Sequence, residues 1–475
     1  MAYRYGDRLQ PILFPRSIAQ YIPRDAPVRA YDAIIDSLDF AKLGIDLDPH
    51  KVGCPEYNPK VMLKLLVYGY SYGIRSSRKL ERETHYNLSF IWLTGGLKPD
   101  HKTIAEFRRK NKSALKKVLS QCARICIELG LIEGNTLFVD GSRVRANASI
   151  DNTWTKERCH EYLKKIDKRI KQILSECDLA DESEKGQSSL VELGEELKDR
   201  VNLESKIKAI LKQINEQGKH SVNTTDEDCV KVRSRQGSHA GYNAQAVVDE
   251  KHGLIVSSDV VDENNDVHQF AKQIYKANET LQDKCHSACA DAGYAGYEEL
   301  EKIDKQGIKV IVPSRKQAAR EKRSGPLDKS HFKYDRENDC YICPAGEVLT
   351  YRRMEPERRR RVYRLKRSVC QKCRYFGVCT TGKIGRKLTR LNQEDLKDKL
   401  ETVYEQPESQ AVFKLRKEKV ELPFGHIKRN LKFDAFLLRG LDGVKAEFSL
   451  LSSCFNVARL ITILGVPMLL AKLTG

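Results

Sequence analysis

The first quarter of the chain carries apolar residues at helical spacing between polar, mostly basic ones. Asn58-Pro59 is a typical helix start, and the apolar positions after it recur at one-turn intervals. Those positions are Val61, Met62, Leu65, Leu66 and Tyr70. A second helix is predicted over 78–93, and a third from Thr103, which has capping-box spacing to Glu106. The pattern predicts a helical domain over residues 1–133.

Beyond residue 134, short apolar runs alternate with amphipathic segments, which is typical of an α/β domain. Predicted strands cover 136–140, 242–248, 254–257, the run that leads to Asp291, and 308–313. Predicted helices cover 268–283, 297–306, 400–420, 424–432 and 442–464. The turn at 250–253 predicts antiparallel neighbours, whereas the later alternation predicts parallel ones. We therefore expect a mixed sheet flanked by helices over residues 134–475.

Two segments interrupt this α/β pattern. Residues 154–218 are highly charged and carry two amphipathic stretches, which predicts an antiparallel helical hairpin. The hairpin could be a dimer element or could pack on its own domain. Residues 315–395 are basic, contain cysteines and are short of apolar runs, so we expect an insertion with little core of its own.

Composition narrows the functional classes. The chain has 475 residues and a net charge of +19, which favours a nucleic-acid partner. The most apolar stretch, 450–470, is interrupted by Arg459 and is expected to be a buried helix, not a membrane span. The N-terminus lacks the apolar core of a signal peptide, so we expect a cytoplasmic protein without a membrane partner. Its 14 cysteines should then be mostly reduced.

Three acidic residues are candidate metal ligands. Asp140 and Asp291 each follow an apolar run and are expected at strand ends, and Glu421 lies in a later basic stretch. A single Asp at a strand end is more often a cap or a turn residue. Two such residues in a basic α/β context, together with a later Glu, predict a site for two hard divalent cations that act on phosphodiesters. Glu418 is the alternative third ligand.

The surroundings of these acids add further expectations. Pro423 should begin or kink a helix, which would place Glu421 near a helix N-terminus. Lys428 lies about two turns further on and could contact phosphate on the same face. Asp266 is expected to be a loop residue that caps the following helix.

Basic side chains concentrate in the third predicted helix and in the Cys-bearing segment. Arginines flank the candidate site as well, as Arg143 does three residues after Asp140. Charge runs of this kind either contact DNA or form a solvated surface. The candidate DNA contacts are Arg108, Arg109, Arg143, Arg358, Arg359, Arg360, Arg361 and Lys428.

Cysteines in the basic segment have the spacing of metal ligands. Cys340-x2-Cys343 precedes Cys370-x2-Cys373-x5-Cys379, and two such pairs in a segment with little core predict a structural zinc site. Cys343, Cys370, Cys373 and Cys379 are the preferred ligands, because Cys343 opens a knuckle-like turn. Cys340 could replace Cys379, and unligated, reduced thiols are the alternative to zinc.

Together these blocks resemble prokaryotic insertion-sequence transposases of the DDE class. The matching segments are Val139-Asp-Gly-Ser142, Ala146-Asn-Ala148, Gly241-Tyr-Asn-Ala-Gln245, Ala290-Asp-Ala-Gly-Tyr294, and Glu421 with Lys428. At the Tyr and Arg positions of that family's last signature stand Lys414 and Lys417, with Phe413 and Arg416 adjacent in a shifted register.

The resemblance implies a ribonuclease-H-like catalytic core in which Asp140, Asp291 and Glu421 hold two Mg²⁺ or Mn²⁺ ions. It also implies a reaction: cleavage at the ends of the insertion sequence and transfer of the freed 3′-hydroxyl to target DNA. Double-stranded DNA is then the partner, a homodimer is expected in the DNA complex, and the protein would associate with the nucleoid. A structure-selective nuclease and a non-catalytic DNA-binding derivative are the rival functions.

Overall fold

The structure is a computed structural model. It describes residues 17–47, 56–181, 187–216, 218–219, 221–234, 237–319, 327–382 and 384–474. Residues 1–16 and residues 182–186, between the two helices of the predicted hairpin, lie outside the described residues.

The N-terminal region is helical, as the spacing of its apolar residues predicts. Its helices are α1 Ile18–Tyr21, α2 Pro27–Asp36, α3 Phe40–Leu43, α4 Pro59–Ser71, α5 Ser77–Tyr86, α6 Leu88–Leu93, α7 His101–Lys110 and α8 Lys112–Glu128. The single helix predicted over 78–93 is divided, because the Asn87 side chain caps a new helix at Ser89. The third helix starts earlier than predicted, because the carboxylate of Asp100 accepts a hydrogen bond from the Thr103 amide and caps α7.

The first strand of the mixed sheet comes before the helical hairpin. Strand β1 covers Thr136–Arg145, and the hairpin follows as β2 Thr153–Thr155, α9 Lys156–Asp181, α10 Gln187–Glu216 and β3 Ser221–Asn223. Strands β2 and β3 pair at its base, and the two helices bury a small apolar cluster of their own that includes Ile166 and Ile207. Arg169 ties the helices together through a two-pronged ion pair with Glu196.

The sheet continues through β4 Val230–Ser234, β5 Gly237–Asp249, β6 Ile255–Val261, α11 Phe270–Leu281, β7 Ser287–Cys289, α12 Tyr297–Asp304 and β8 Lys309–Ile311. The strand order is β4-β5-β1-β7-β8, and β6 pairs with β5. Strand β5 runs antiparallel to β1, β4 and β6, whereas β1, β7 and β8 are parallel to one another. The mixed sheet predicted from the hairpin and the later alternation is therefore present.

The Cys-bearing segment is more ordered than predicted. It contains α13 Arg315–Ala319, β9 Lys333–Asp335, β10 Cys340–Ile342, β11 Val348–Glu355, β12 Arg360–Arg364, α14 Arg367–Gln371 and β13 Lys387–Leu391. The strands form a separate antiparallel sheet in the order β13-β12-β11-β10-β9. Its core was not expected, because it is built from residues dispersed among arginines and lysines, not from apolar runs. The buried residues are Phe332, Tyr341, Leu349, Tyr363, Leu365, Cys370 and Leu388.

The chain closes with α15 Glu394–Glu405, α16 Pro407–Arg429 and α17 Leu441–Thr474, which has a break in helical geometry at Gly465. By length and composition alone, α17 is the helix among the described residues that could cross a bilayer. Its first half packs on α2, α4, α8 and β6 and buries Phe448, Cys454 and Phe455. The N-terminal helices, the mixed sheet and α17 therefore share one continuous hydrophobic core.

Helix α16 continues through Pro423, so the expectation that a helix begins there is wrong. Pro423 is buried together with Val420, Phe424 and Ile427 on one face of the helix. We attribute the continuity to this packing, which offsets the hydrogen bond that proline cannot donate. Glu421 accordingly lies in the interior of α16 and not near a helix N-terminus.

Candidate active site

Asp140 and Asp291 are neighbours on adjacent strands. In the parallel pairing of β1 with β7, Phe138 lies opposite Cys289. Each aspartate comes two residues after its member of that pair, so the two aspartates are level and their side chains project from the same face. Asp140 does not end its strand as predicted, because β1 continues beside β5 to Arg145 after the pairing with β7 has stopped.

Arg416 of α16 spans the two aspartates. Its Nη1 lies 3.3 Å from Oδ1 of Asp140, and its Nη2 lies 3.9 Å from Oδ2 of Asp291. The Nε of Arg416 is buried without a hydrogen-bond partner. In the sequence, Lys417 stands at the Arg position of the family's last signature, and Arg416 is its neighbour. The structure shows that Arg416, in the shifted register, is the residue that reaches the two aspartates.

Electrostatics at Asp140 reflect this crowding. Burial raises the pKa of Asp140 to about 6, Arg416 opposes that rise, and the nearby Asp291 carboxylate adds to it. Asp291 is more open to solvent, and its Oδ1 accepts a hydrogen bond from the Gly293 amide at 2.8 Å. Burial and the neighbouring carboxylate thus disfavour the charged form of Asp140, and the Arg416 guanidinium offsets part of that effect.

Helix α16 also brings Lys428 to the site. Its Nζ lies 2.5 Å from Oγ of Ser142, which projects from the same face of β1 as Asp140. Burial lowers the pKa of Lys428, and the charge of Asp140 opposes that lowering. The lysine therefore lies at the edge of the acidic pair.

Glu421 is exposed on the same helix. It follows buried Val420 as Lys428 follows buried Ile427, and the seven-residue interval puts both polar side chains on one side of the helix. Glu418 lies almost a turn before Glu421 and is rotated away from that side. Within the described ranges, no three His, Cys, Asp or Glu side chains form a group that could hold a metal ion. The structure thus brings two of the predicted acids together and leaves Glu421 outside the pair.

Buried polar side chains form a hydrogen-bonded network on the face of β1 opposite to Asp140. The Oδ1 of Asp266 accepts hydrogen bonds from Asn243 at 2.7 Å and from Gln245 at 2.8 Å, and Tyr294 donates to Oε1 of Gln245 at 2.5 Å. Gly141 passes directly over this network, since a Cβ there would lie 2.4 Å from Nε2 of Gln245. Sequence reasoning missed the network, because its members are far apart along the chain.

The expected role of Asp266 as a helix cap is therefore wrong. The backbone carbonyl of Asp266 accepts from the amide of Gln269, while its carboxylate binds the network and Arg143. Arg143 Nη2 lies 3.3 Å from Oδ2 of Asp266 and 2.9 Å from the carbonyl oxygen of Asn264. Arg143 thus braces the loop that follows β6.

Of the two arginines of α7 that were predicted to contact DNA, one is buried and the other is exposed. Arg108 is buried and donates to Tyr70, Ser77 and the carbonyl of Arg75, so it is not available at the surface and the expectation for it is wrong. Arg109 is exposed and forms a two-pronged ion pair with Glu106.

The arginines between the cysteine pairs lie at the end of β11 and the start of β12. Arg359 pairs with Glu298, Arg360 with Glu355 and Arg361 with Asp339. The side chain of Arg358 lies outside the described part of the chain. These pairs leave Arg359 and Arg361 substantially exposed.

Comparisons with known proteins give the family. Residues 217–457, just over half of the chain, match the model described as transposase DDE domain. Residues 16–110 match the model described as transposase domain DUF772. Asp291, Arg416, Glu421 and Lys428 lie inside the first match, whereas Asp140 lies between the two. Searches of curated proteins and of solved structures find no match. The chain belongs to the DDE transposases of insertion sequences.

Proposed function

We propose that this transposase cuts DNA at the ends of its insertion sequence and joins the freed 3′-hydroxyl to target DNA. The observation that carries the proposal is the level pair Asp140 and Asp291 with one guanidinium between them. Water would attack the phosphodiester in the first step and the 3′-hydroxyl in the second, and each step releases an alcohol oxygen from phosphorus.

The sheet supports a ribonuclease-H-like catalytic core over residues 134–475. In chain order, the antiparallel-paired strands β1, β4, β5 and β6 come before β7 and β8, which add parallel pairs. Both β4 and β6 pair with β5, and β1 lies between β5 and β7 in the sheet. Parallel pairing beside this central strand is what makes Asp140 and Asp291 neighbours. The hairpin at 154–218 and the segment at 315–395 then interrupt the core as insertions.

The residues fit a divalent-cation site. Asp140 and Asp291 offer oxygen ligands of the kind that Mg²⁺ and Mn²⁺ prefer, and they lie side by side on adjacent strands. Glu421, on the facing helix, is the proposed third ligand. Bound cations would neutralise charge on the phosphodiester and activate the attacking oxygen. Recruitment of Glu421 requires an adjustment of α16 or of its side chain.

Two residues of α16, Lys428 and Arg416, would bind phosphates of the DNA backbone. Lys428 lies against Ser142 at the border of the acidic pair, where its ammonium group can hold a phosphate next to the scissile bond. Arg416 keeps the two acids together before cations bind and can turn to a phosphate oxygen afterwards. Its unpartnered Nε is a donor available for such a contact.

Double-stranded DNA would bind across the wider basic surface. The helical region 1–133 and the exposed arginines Arg109, Arg359 and Arg361 are the proposed contacts, together with Arg143 and Lys428 at the site. A homodimer in the DNA complex would bring the two element ends together. A cytoplasmic, nucleoid-associated location follows from this substrate.

The test separates DNA binding from chemistry. Duplexes that carry the ends of the element encoding this chain are incubated with Mg²⁺ and a supercoiled target, and cleaved and joined products are resolved on gels. We expect Asp140→Asn, Asp291→Asn and Glu421→Gln to bind the duplex normally and to lose at least ~10²-fold in both products. Glu418→Gln is the matched control and should retain activity.

Each rival function has its own outcome in this assay. Cleavage without joined product supports a nuclease. Binding without either product in the wild-type chain supports a non-catalytic DNA-binding protein. Loss of activity in Glu418→Gln but not in Glu421→Gln would reassign the third ligand.

A further inference from the structure

Four cysteines of the smaller sheet line a single small cavity. They are Cys343 after β10, Cys370 in α14, and Cys373 and Cys379 in the loop that leads to β13. The cysteines whose side chains the structure describes form no disulfides, these four included. These four are therefore available together, although they come from two segments separated by β11 and β12.

Cys340 is not one of this group. It lies within β10, where it pairs with Asp335 and Thr350, and it does not line the cavity. The sequence left Cys340 and Cys379 as alternatives, and the fold brings Cys379 to the cavity. Cys340 is thus a natural control, because it lies three residues from Cys343 and is buried in the same sheet.

Backbone amides point at the sulfurs of three of these cysteines. The amide of Glu347 donates to Sγ of Cys343 at 3.3 Å, that of Arg386 to Sγ of Cys370 at 3.4 Å, and that of Tyr375 to Sγ of Cys373 at 3.5 Å. A neutral thiol is a weak acceptor, whereas an ionised acceptor forms much stronger hydrogen bonds. The amides are thus placed to stabilise thiolates.

Arg386 adds positive charge to the same cavity. Its Nη1 donates to the carbonyl of Cys379 at 2.7 Å and its Nη2 to the carbonyl of Leu327 at 3.0 Å, while its guanidinium stacks on Phe332. The remaining Nε is buried without a partner and belongs to a side chain that lines the cavity. A cluster of thiolates around a divalent ion carries net negative charge and would give this donor an acceptor.

We propose that Cys343, Cys370, Cys373 and Cys379 bind one structural Zn²⁺ as four thiolates. Each thiol releases its proton to solvent when the ion binds. The described residues contain no group of three or more metal-binding side chains that could hold an ion as they stand, so binding must draw the sulfurs inward. The site would join the turn after β10 to α14 and the loop before β13, and so hold together a sheet with a small core.

Metal analysis of the full-length chain tests this site without any DNA. We expect about one equivalent of zinc per chain by mass spectrometry of the purified protein. Cobalt(II) added to metal-free protein should give the absorption of a tetrahedral thiolate complex, which needs no variant. Cys373→Ser and Cys379→Ser should each weaken zinc affinity by at least ~10-fold, judged by competition with a chromogenic chelator. Cys340→Ser should bind zinc like the wild type.

Two outcomes would overturn the proposal. One is a folded wild-type chain that takes up neither zinc nor thiolate-bound cobalt. The other is loss of zinc in Cys340→Ser equal to that in Cys373→Ser, which would give a different ligand set. Because the readout is metal content and not transposition, failure here leaves the proposed DNA chemistry intact.

Discussion

Arg416 Nη1 lies 3.3 Å from Asp140 Oδ1, and the same guanidinium reaches toward Asp291. The arginine comes from α16, 276 residues after Asp140. Arg416 thus links α16 to Asp140 on β1 and to Asp291 after β7. The positive charge of Arg416 offsets the repulsion between the two neighbouring carboxylates.

Loss of Arg416 should change the titration of its partner. Because Arg416 lowers the pKa of Asp140, Arg416→Met should raise that pKa above about 6. Mn²⁺ affinity, measured by calorimetry as a function of pH, should then reach half its maximum at a higher pH than in the wild type. Lys417→Met removes the same charge from an exposed neighbour on α16 and should leave the midpoint unchanged. Equal shifts in the two variants would contradict the role given to the contact.

The raised pKa of Asp140 also predicts the pH dependence of stability without metal. Since the folded-state pKa is about 6 and the ordinary value is 3.8, the native chain binds more protons between those values. The contribution of Asp140 to the free energy of unfolding should therefore fall as pH rises through this window, by on the order of 1–3 kcal/mol. Asp140→Asn should lose this component of the slope.

Urea unfolding in EDTA at a series of pH values measures this effect. Asp434→Asn, which changes an exposed carboxylate, is the matched control and should keep the wild-type slope. A wild-type chain whose stability rises over the same window, with Asp140→Asn unchanged from it, would argue against a buried, uncompensated Asp140.

Gly141 should tolerate no side chain. A Cβ at this position would meet Gln245 Nε2 at 2.4 Å, Asp266 Oδ1 at 2.9 Å and the Tyr294 hydroxyl at 3.0 Å. Gly141→Ala should therefore cost about 1–3 kcal/mol of stability and displace Asp140, with loss of DNA cleavage. Gly425→Ala meets nothing within 4 Å on α16 and should be neutral or slightly stabilising. Thermal unfolding and DNA cleavage are measured for both variants, and a Gly141→Ala chain as stable and active as Gly425→Ala would contradict the prediction.

Arg108 and Arg109 should behave differently despite adjacent positions. Arg108→Met leaves Tyr70 and Ser77 without their buried donor, so it should destabilise the fold by about 1–3 kcal/mol. DNA affinity of the folded fraction should not change. Arg109→Met should leave stability nearly unchanged. If Arg109 contacts phosphate, the same change reduces the salt dependence of DNA binding by about one ion. If Arg108 were the phosphate contact instead, salt titrations would show a reduced salt dependence of DNA binding for Arg108→Met and an unchanged one for Arg109→Met.

Much of this architecture could be predicted from local patterns. The apolar run before Asp140 and the alternating segments after it identify the mixed sheet, because strand and helix periodicity are properties of neighbouring residues. The continuation of β1 past Asp140 could not be predicted this way. It depends on pairing with β5, and the polar residues Ser142 and Arg143 carry no strand signal of their own.

The departures in the site have a common physical origin. Arg416 was one of several basic residues in a charged stretch, and only the packing of α16 on β1 distinguishes it from Lys417. Arg108 belongs to a basic run as well, yet a buried tyrosine and a serine use its donors. Tertiary contacts determine whether a charged side chain is used inside the protein or stays at its surface. These contacts join residues that are far apart along the chain, so a local sequence pattern cannot predict them.

The most direct test of the central claim is a crystal structure of the chain soaked in Mn²⁺, with the ions located by anomalous scattering. We expect manganese between the carboxylates of Asp140 and Asp291, with Arg416 turned away from them and Glu421 drawn in as a ligand. Manganese bound elsewhere, or two aspartates still bridged by Arg416 at saturating Mn²⁺, would contradict that expectation.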